Sequence, residues 1–190
     1  MNIILASRSP RRQELLRRVG IEDFRILVPE VDESYPAGLS AEETVKYISR
    51  KKALAAKELA SPADLIITAD TMVFLGSERL GKPADEADAL RMLLSLQGQK
   101  HRVCTGVTVL QSEHILTEAE ATDVYFRAAS EEELLRYIRG GEPMDKAGAY
   151  GVQGKGSLLV RRIEGDYYNV MGLPLVRLSA MLAQFGVTLL

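Results

Sequence analysis

The sharpest chemical feature of the sequence is a carboxylate inside an apolar run. Asp70 stands between Ile66-Ile67 and Met72-Val73-Phe74, where an acid must face a cleft or be buried at high cost without a partner. A turn aspartate that breaks the run and a group that holds a proton or a cation both fit these residues. A second feature is Leu5-Ala6-Ser7-Arg8-Ser9-Pro10-Arg11-Arg12, which sets hydroxyls and arginines between a strand and a helix start. Backbone N–H groups at a helix N-terminus and guanidinium forks both suit phosphate oxygens. Lys52 on a helix, Lys82 in Gly81-Lys82-Pro83 and the acids of Val31-Asp32-Glu33 complete a set of opposite charges. Each of these alone reads as a solvated surface group. Together, acids, lysines and an arginine-serine loop are what a divalent cation bridging carboxylates to a polyphosphate requires, since Mg²⁺ commonly takes one or two carboxylates plus the substrate's own phosphates.

The stretch Glu142 to Gly156 is the other unusual one, rich in glycine and carrying Lys146 and Gln153. Glycine lets backbone approach a ligand closely, and a glutamine amide has both the donor and the acceptor that reading a base edge needs. The stretch lacks the strand-loop-helix context of a dinucleotide fingerprint, and no G-x-x-x-x-G-K-[ST], G-x-S-x-G or H-E-x-x-H occurs. Dinucleotide, P-loop, serine-hydrolase and zinc-protease chemistries are therefore unsupported. His101 and His114 show no zinc spacing.

The elements that must position these residues follow from caps and periodicity. Ile3 to Ala6 reads as a short buried strand, and Ser9-Pro10 opens a helix through about Val19. Phe24 to Val28 reads as a second strand, and Ser40 with Glu43 is a capping box opening a helix through about Glu58. Asp64 to Thr68 and Met72 to Leu75 read as strand segments with Asp70 between them. A helix over Asp85 to Leu96 precedes a hairpin of two long strands, Arg102 to Leu110 and Ile115 to Arg127. Ser130 and Glu133 cap a further helix that ends at Gly140-Gly141. Strands are predicted near Leu158 to Ile163 and Tyr167 to Val170, and a last helix from Pro174 to Phe185. The pattern is mixed α/β or α+β, with strand order undetermined.

Composition bounds the rest. The 190 residues are 46% hydrophobic and 26% charged with a formal net charge of −2, which fits one ordered domain, or two small lobes sharing a core, and argues against a duplex nucleic-acid binder with a basic face. The single cysteine, Cys104, forms no intramolecular disulfide, and the start lacks the basic and apolar regions of a signal peptide. No uncharged apolar run has the length of a membrane span. A cytoplasmic protein is expected.

Six blocks in order across the chain resemble the Maf family: Leu5-Ala6-Ser7-x-Ser9-Pro10-Arg11-Arg12-x-Glu14-Leu15-Leu16, Ala69-Asp70-Thr71, Gly81-Lys82-Pro83, His101-x-Val103-x-Thr105, Glu142-Pro143-x-Asp145-Lys146-Ala147-Gly148-Ala149-Tyr150-Gly151-x-Gln153-Gly154, and Gly165-Asp166-Tyr167-x-x-Val170-x-Gly172-Leu173-Pro174-Leu175. The resemblance implies a single domain over 1–190 with a fold similar to the inosine triphosphate pyrophosphatases. That fold is an elongated mixed sheet flanked by helices, with two lobes and a central cleft. It implies hydrolysis of a nucleoside triphosphate between the α and β phosphates with a divalent cation, Mg²⁺, Mn²⁺ or Co²⁺. Arg11, Thr71 and Gln153 are similar to the specificity positions of the branch acting on dTTP and UTP. Asp70 matches the proton acceptor and shares the metal with Glu33, whose part Asp32 could take. Ser7, Arg12, Lys52, Lys82 and Lys146 match polar positions for the phosphates. A homodimer and a house-cleaning role are family expectations, with no nucleic acid and no membrane as partners. A 7-methyl-GTP pyrophosphatase of the same family and a non-catalytic regulator of septum formation are the rival readings.

Overall fold

The computed structural model describes residues 2–190. The elements in chain order are β1 Ile3–Leu5, α1 Pro10–Arg18, β2 Phe24–Ile26, α2 Ala41–Lys57, β3 Leu65–Leu75, β4 Glu78–Leu80, α3 Glu86–Leu96, β5 Lys100–Gln111, β6 His114–Phe126, α4 Glu131–Ile138, β7 Val160–Glu164, α5 Tyr167–Met171 and α6 Leu175–Ala183. The strands form a mixed seven-stranded sheet in the order β2-β1-β3-β5-β6-β7, with β4 on β3. The chain divides into two compact units, the first comprising residues up to Asp70 with Thr105–Glu120 and Gly172–Leu190, the second Thr71–Cys104 with Ala121–Met171. No helix among the described residues is long and apolar enough to cross a membrane.

In the first unit β1 lies parallel between β2 and β3, with Ile4 opposite Arg25 on one side and Ile66 on the other. Apolar residues in these strands run without alternation because both faces are covered: Ile4, Leu5, Leu65, Ile66 and Ile67 are all buried. α1 begins where Ser9 accepts a hydrogen bond from the Arg12 backbone N–H and Pro10 occupies the first turn, as proline's fixed φ favours. α2 begins at a complete Ser40–Glu43 capping box. Its buried residues Val45, Ile48, Ser49, Ala53 and Ala56 recur at helical spacing, so Lys52 lies at the edge of the same face.

Gly106 of β5 sets how closely α2 can approach. A Cβ built there would fall 2.2 Å from the Val45 carbonyl oxygen and 2.7 Å from the Lys46 nitrogen, backbone atoms that cannot swing aside. Polar pegs fix the contact: the Thr68 hydroxyl donates to the Ser49 carbonyl at 2.7 Å, and the Ser49 and Thr108 hydroxyls lie 3.0 Å apart. Gly106→Ala should therefore lift α2 off the sheet, lowering stability by about 2 kcal/mol as overpacking does. Urea unfolding followed by circular dichroism measures it, and an unchanged midpoint would contradict the argument.

In the second unit the end of β3 turns antiparallel into β4, with Val73 opposite Leu80, and β7 pairs antiparallel with β6. Leu80, Leu93, Leu96, Val124, Leu134 and Ile138 form a continuous core under α3 and α4. The glycine-rich stretch folds as three 3-10 turns, Glu142–Asp145, Ala147–Ala149 and Gly154–Leu158.

The sequence expectations need correction in places. β3 is unbroken from Leu65 to Leu75 and carries Asp70 inside it, because the ladder uses backbone groups and the side chain finds a partner of its own. Tyr167 to Val170 is helical, not a strand. Gly165 has a φ of 126° and the Asp166 carboxylate accepts from the Tyr168 N–H at 2.7 Å, so local capping overrides tyrosine's strand preference. Leu158 belongs to the last 3-10 turn, and β7 starts at Val160.

Candidate functional site

Burial of an ionised carboxylate demands compensation, and the surroundings of Asp70 supply it. The Lys52 ammonium donates to Asp70 Oδ1 at 2.7 Å and also lies 2.8 Å from Glu33 Oε1. Asp70 Oδ2 is buried without a hydrogen-bond partner. Glu33 is more than half exposed, with 58% of its side-chain surface open, so the pair joins a buried acid to a solvated one through a single cation. Asp32 is engaged elsewhere: it accepts from the Ser34 N–H at 3.0 Å and pairs with Lys51 at 3.5 Å. Between the two acids, Glu33 is the one that joins Lys52.

Arg12 braces the same region. Its Nε donates to the Gly172 carbonyl at 2.8 Å, and its Nη1 donates to the Ala69 carbonyl at 2.9 Å and to Ser7 Oγ at 3.2 Å. Ser7 Oγ also accepts from the Ser9 N–H at 3.2 Å. Burial lowers the Arg12 pKa, while the nearby Asp70 charge opposes the shift; the guanidinium stays cationic. Ser7, Arg12, Glu33, Lys52 and Asp70, named from sequence as separate positions, are thus drawn together, with Arg12 acting as a bracket on the strand that carries Asp70. Arg11 follows Pro10 in the first turn of α1, and Thr71 continues β3 directly after Asp70.

Lys82, Lys146 and Gln153 belong to the second unit. Lys82 is exposed, in a turn whose Gly81 carbonyl accepts from the Gly148 N–H at 3.0 Å. This bond joins the Lys82 turn to the glycine-rich segment. Gly148 takes a φ of 69°, and a Cβ there would meet the Val73 side chain at 2.9 Å. Lys146 donates to Asp145 Oδ1 at 2.6 Å and to the Glu142 carbonyl.

Glu142 has a role that sequence reading did not assign. Its Oε1 accepts from Tyr137 OH at 3.0 Å and from the Gly156 N–H at 3.1 Å, and its Oε2 accepts from the Lys155 N–H at 2.9 Å. Tyr137 OH in turn accepts from the Gly151 N–H at 3.2 Å. Burial first, and the Glu142 charge second among the raising influences, push the Tyr137 pKa up, so the phenol keeps its proton. Gln153 is therefore held between two anchored points, Gly151 and Lys155. Because the backbone donors to Glu142 lie 13 and 14 positions away, no local pattern marks it.

His101, in one of the six blocks, is a core residue. Its Nε2 lies 2.8 Å from Tyr150 OH and its ring packs edge-on against Phe126 and Tyr150. Desolvation lowers its pKa from 6.5 to about 4, with the Asp123 charge opposing the shift. The folded value is depressed, so the stabilisation is complete above pH 6.5 and is lost as pH falls toward 4. By pH 5 the unfolded chain's extra proton uptake should lower stability by roughly 2 kcal/mol. Urea midpoints at pH 7.5 and pH 5 test this: His101→Gln should show a smaller drop than the wild type, and an equal drop would refute it.

Among the described residues no group of three or more His, Cys, Asp or Glu is placed to hold a metal. The residues that fit a hard cation are the oxygens of Asp70, one of them buried and unpartnered, and of Glu33. Hydrolytic chemistry on a phosphate anhydride is what such a set can perform: a buried carboxylate to hold a proton and cations to balance developing charge.

Comparisons with known proteins bear on this chemistry. A family model described as Maf-like protein matches residues 2–185. A dTTP/UTP pyrophosphatase of Symbiobacterium thermophilum is 50% identical over 184 residues, covering 97% of this chain and 94% of the relative. Its namesake in Dictyoglomus turgidum is 50% identical over 195 residues, covering 99% and 98%. One from Caldicellulosiruptor bescii is 48% identical, covering 99% and 96%. Among solved structures, a HAM1 protein from Coxiella burnetii aligns at 12% identity with a TM-score of 0.43, over 66% of this chain and 73% of that one.

Proposed function

The chain belongs to the Maf family, and on that footing we propose that it is a nucleoside triphosphate pyrophosphatase whose substrates are dTTP and UTP. The observation that carries the reading is about half identity, sustained over nearly the full length of both chains, to proteins named for that activity. The Asp70 site supports it independently, since a buried acid beside Lys52 and Arg12 suits attack by water at phosphorus.

In the proposed reaction, the oxygen of a water attacks the α phosphorus. Asp70 orients this water and takes its proton, and the bond from the α phosphorus to the bridging oxygen breaks with its electron pair leaving on pyrophosphate. The nucleoside monophosphate is the other product. Lys52, Lys82, Lys146, Arg12 and Ser7 hold and neutralise the triphosphate, and positioning with charge neutralisation supplies most of the catalysis in such transfers. Asp70 and Glu33 would hold a divalent cation, which when bound draws negative charge from the phosphate oxygens. Gln153 pairs with the uracil or thymine edge, with Arg11 and Thr71 completing the selection. A base with the wrong donors leaves buried polar groups unpaired, so discrimination by hydrogen bonds is steep.

The test is pyrophosphate release from UTP, dTTP, 7-methyl-GTP and ATP at equal concentration, repeated with Mg²⁺, Mn²⁺ and Co²⁺. UTP and dTTP are expected to lead the series by about 10-fold or more. Preference for 7-methyl-GTP would move the chain to the other branch of the family, and no release from any triphosphate would favour a non-catalytic regulator.

A further inference from the structure

We propose that Lys52 is an internal counter-cation that keeps the Asp70–Glu33 acid pair closed to a divalent metal ion until a triphosphate arrives, so that metal and nucleotide bind as a unit. The inference rests on the reading that this site takes a nucleoside triphosphate, and it adds the order in which the site fills.

Three observations carry it. The Lys52 ammonium lies 2.7 Å from Asp70 Oδ1 and 2.8 Å from Glu33 Oε1, so it engages one oxygen of each carboxylate that a shared cation would need. Its position is imposed by the fold: α2 is held against β5 at Gly106 and pegged to β3 by Thr68 and Ser49, which leaves the side chain aimed at Asp70. Finally, the negative charges are already fully offset, with Lys52 and Arg12 facing Asp70 and Glu33 and Arg11 adding a further positive charge beside Arg12. A divalent cation entering this set, whose acids are already offset, must displace an ammonium from a largely buried acid, and like charges close together raise the cost.

A triphosphate reverses the balance. It brings several negative charges and strong acceptor oxygens, and an ammonium on a flexible four-carbon stem can turn to them. The acid pair is then left with an uncompensated charge that a cation relieves, and the buried Asp70 Oδ2, which has no partner, adds ligand capacity. Coupling of this kind is reciprocal: the nucleotide tightens the metal by the same factor as the metal tightens the nucleotide.

The experiment measures Mn²⁺ binding to the full chain, by calorimetry and by the electron paramagnetic resonance signal of free Mn²⁺. It is done without nucleotide and with an α,β-methylene analogue of UTP that cannot be cleaved at that bond. Wild type should bind Mn²⁺ alone weakly and at least about 10-fold more tightly with the analogue. Lys52→Met should bind Mn²⁺ alone about 10-fold more tightly than wild type and lose most of the dependence on nucleotide. Adding Asp70→Asn to that variant should abolish the gain. Lys52→Gln, which keeps a donor but no charge, gives the same comparison if the methionine variant fails to fold. Mn²⁺ affinity unchanged or weakened in the folded Lys52 variants overturns the proposal, as does tight Mn²⁺ binding by wild type alone. Failure of the pyrophosphatase reading is seen separately, as no pyrophosphate from any triphosphate, while the Mn²⁺-alone comparison still reads the acid pair.

Discussion

Replacement of Asp70 by asparagine should lower kcat for pyrophosphate release from UTP by about 10³-fold, the scale of losing a positioned proton acceptor, while the chain stays folded. Asparagine has the size of aspartate, and its carbonyl oxygen can keep the 2.7 Å contact with Lys52. What it loses is the charge and the ability to take a proton. In place of the buried, unpartnered Oδ2 it puts an amide that can only donate. Stability should change little, because removing a buried charge relieves its desolvation while costing an ion pair, and these effects oppose each other. Circular dichroism and a urea midpoint check the fold, and steady-state pyrophosphate release checks the rate. Raising Mn²⁺ separates the two roles proposed for Asp70: a ligand defect is partly restored by excess metal, whereas loss of the proton acceptor is not. No restoration is expected, and a variant within about 10-fold of wild type would remove Asp70 from the chemistry.

Caps and apolar runs made most elements legible before any coordinates. Ser9-Pro10, Ser40 with Glu43 and Ser130 with Glu133 mark helix starts that the structure uses, and the capping hydrogen bonds are present at all three. These are short-range effects, set by residues within one helical turn. Two segments depart from that pattern, one through a distant partner and one through a local cap. An acid disfavours the middle of a strand, so sequence alone breaks the strand at Asp70, but a lysine from α2 offsets its burial, and that partner is 18 positions away. At Tyr167 to Val170 the residues favour a strand, a preference that Asp166 outweighs by capping the turn. Two lobes are implied by the family resemblance, but the boundary between the two units carries no mark in the residues: β3, β5 and β6 each run through both, so no linker or change of composition falls there.

The candidate site shows the same split between residue type and partnership. Ser7, Arg12, Glu33, Lys52 and Asp70 could each be named from sequence, yet only the structure distinguishes their tasks. Arg12, expected at the phosphates, ties the Ala69 and Gly172 carbonyls together, so removing it should disturb the seat of Asp70 as well as any phosphate contact. Glu33, rather than Asp32, reaches Lys52, which sequence flanks could not decide.

Glu142→Ala should lower kcat/KM for UTP by about 10²-fold, the effect of misplacing a recognition group by about an ångström, and should narrow the preference for UTP over CTP. The alanine removes the acceptor for Tyr137 OH and for the Lys155 and Gly156 N–H groups. Those backbone donors hold the far end of the Gln153 segment, while Tyr137 OH holds the near end at Gly151. The glycines there are adapted to the carboxylate itself: Gly154 takes a φ of 69°, and a Cβ would fall 2.7 Å from Glu142 Oε2. Gly156 packs so closely that a Cβ would lie 2.2 Å from the Gly151 carbonyl oxygen, so the segment has no side chain of its own there to replace the lost acceptor. Unpaired donors cost about 1 to 3 kcal/mol when they stay out of water, and the segment should open to let water reach them. Uracil and cytosine differ in the donors and acceptors along one edge, so on the role proposed for Gln153 an amide free to wander should lose its discrimination along with its affinity. Glu142→Gln keeps one acceptor but turns an amide toward the backbone donors, and should fall between alanine and wild type. Kinetics with UTP and CTP, alongside a urea midpoint, give the decisive comparison. A variant with lowered stability but an unchanged UTP-to-CTP ratio would make Glu142 a structural support with no part in selecting the base.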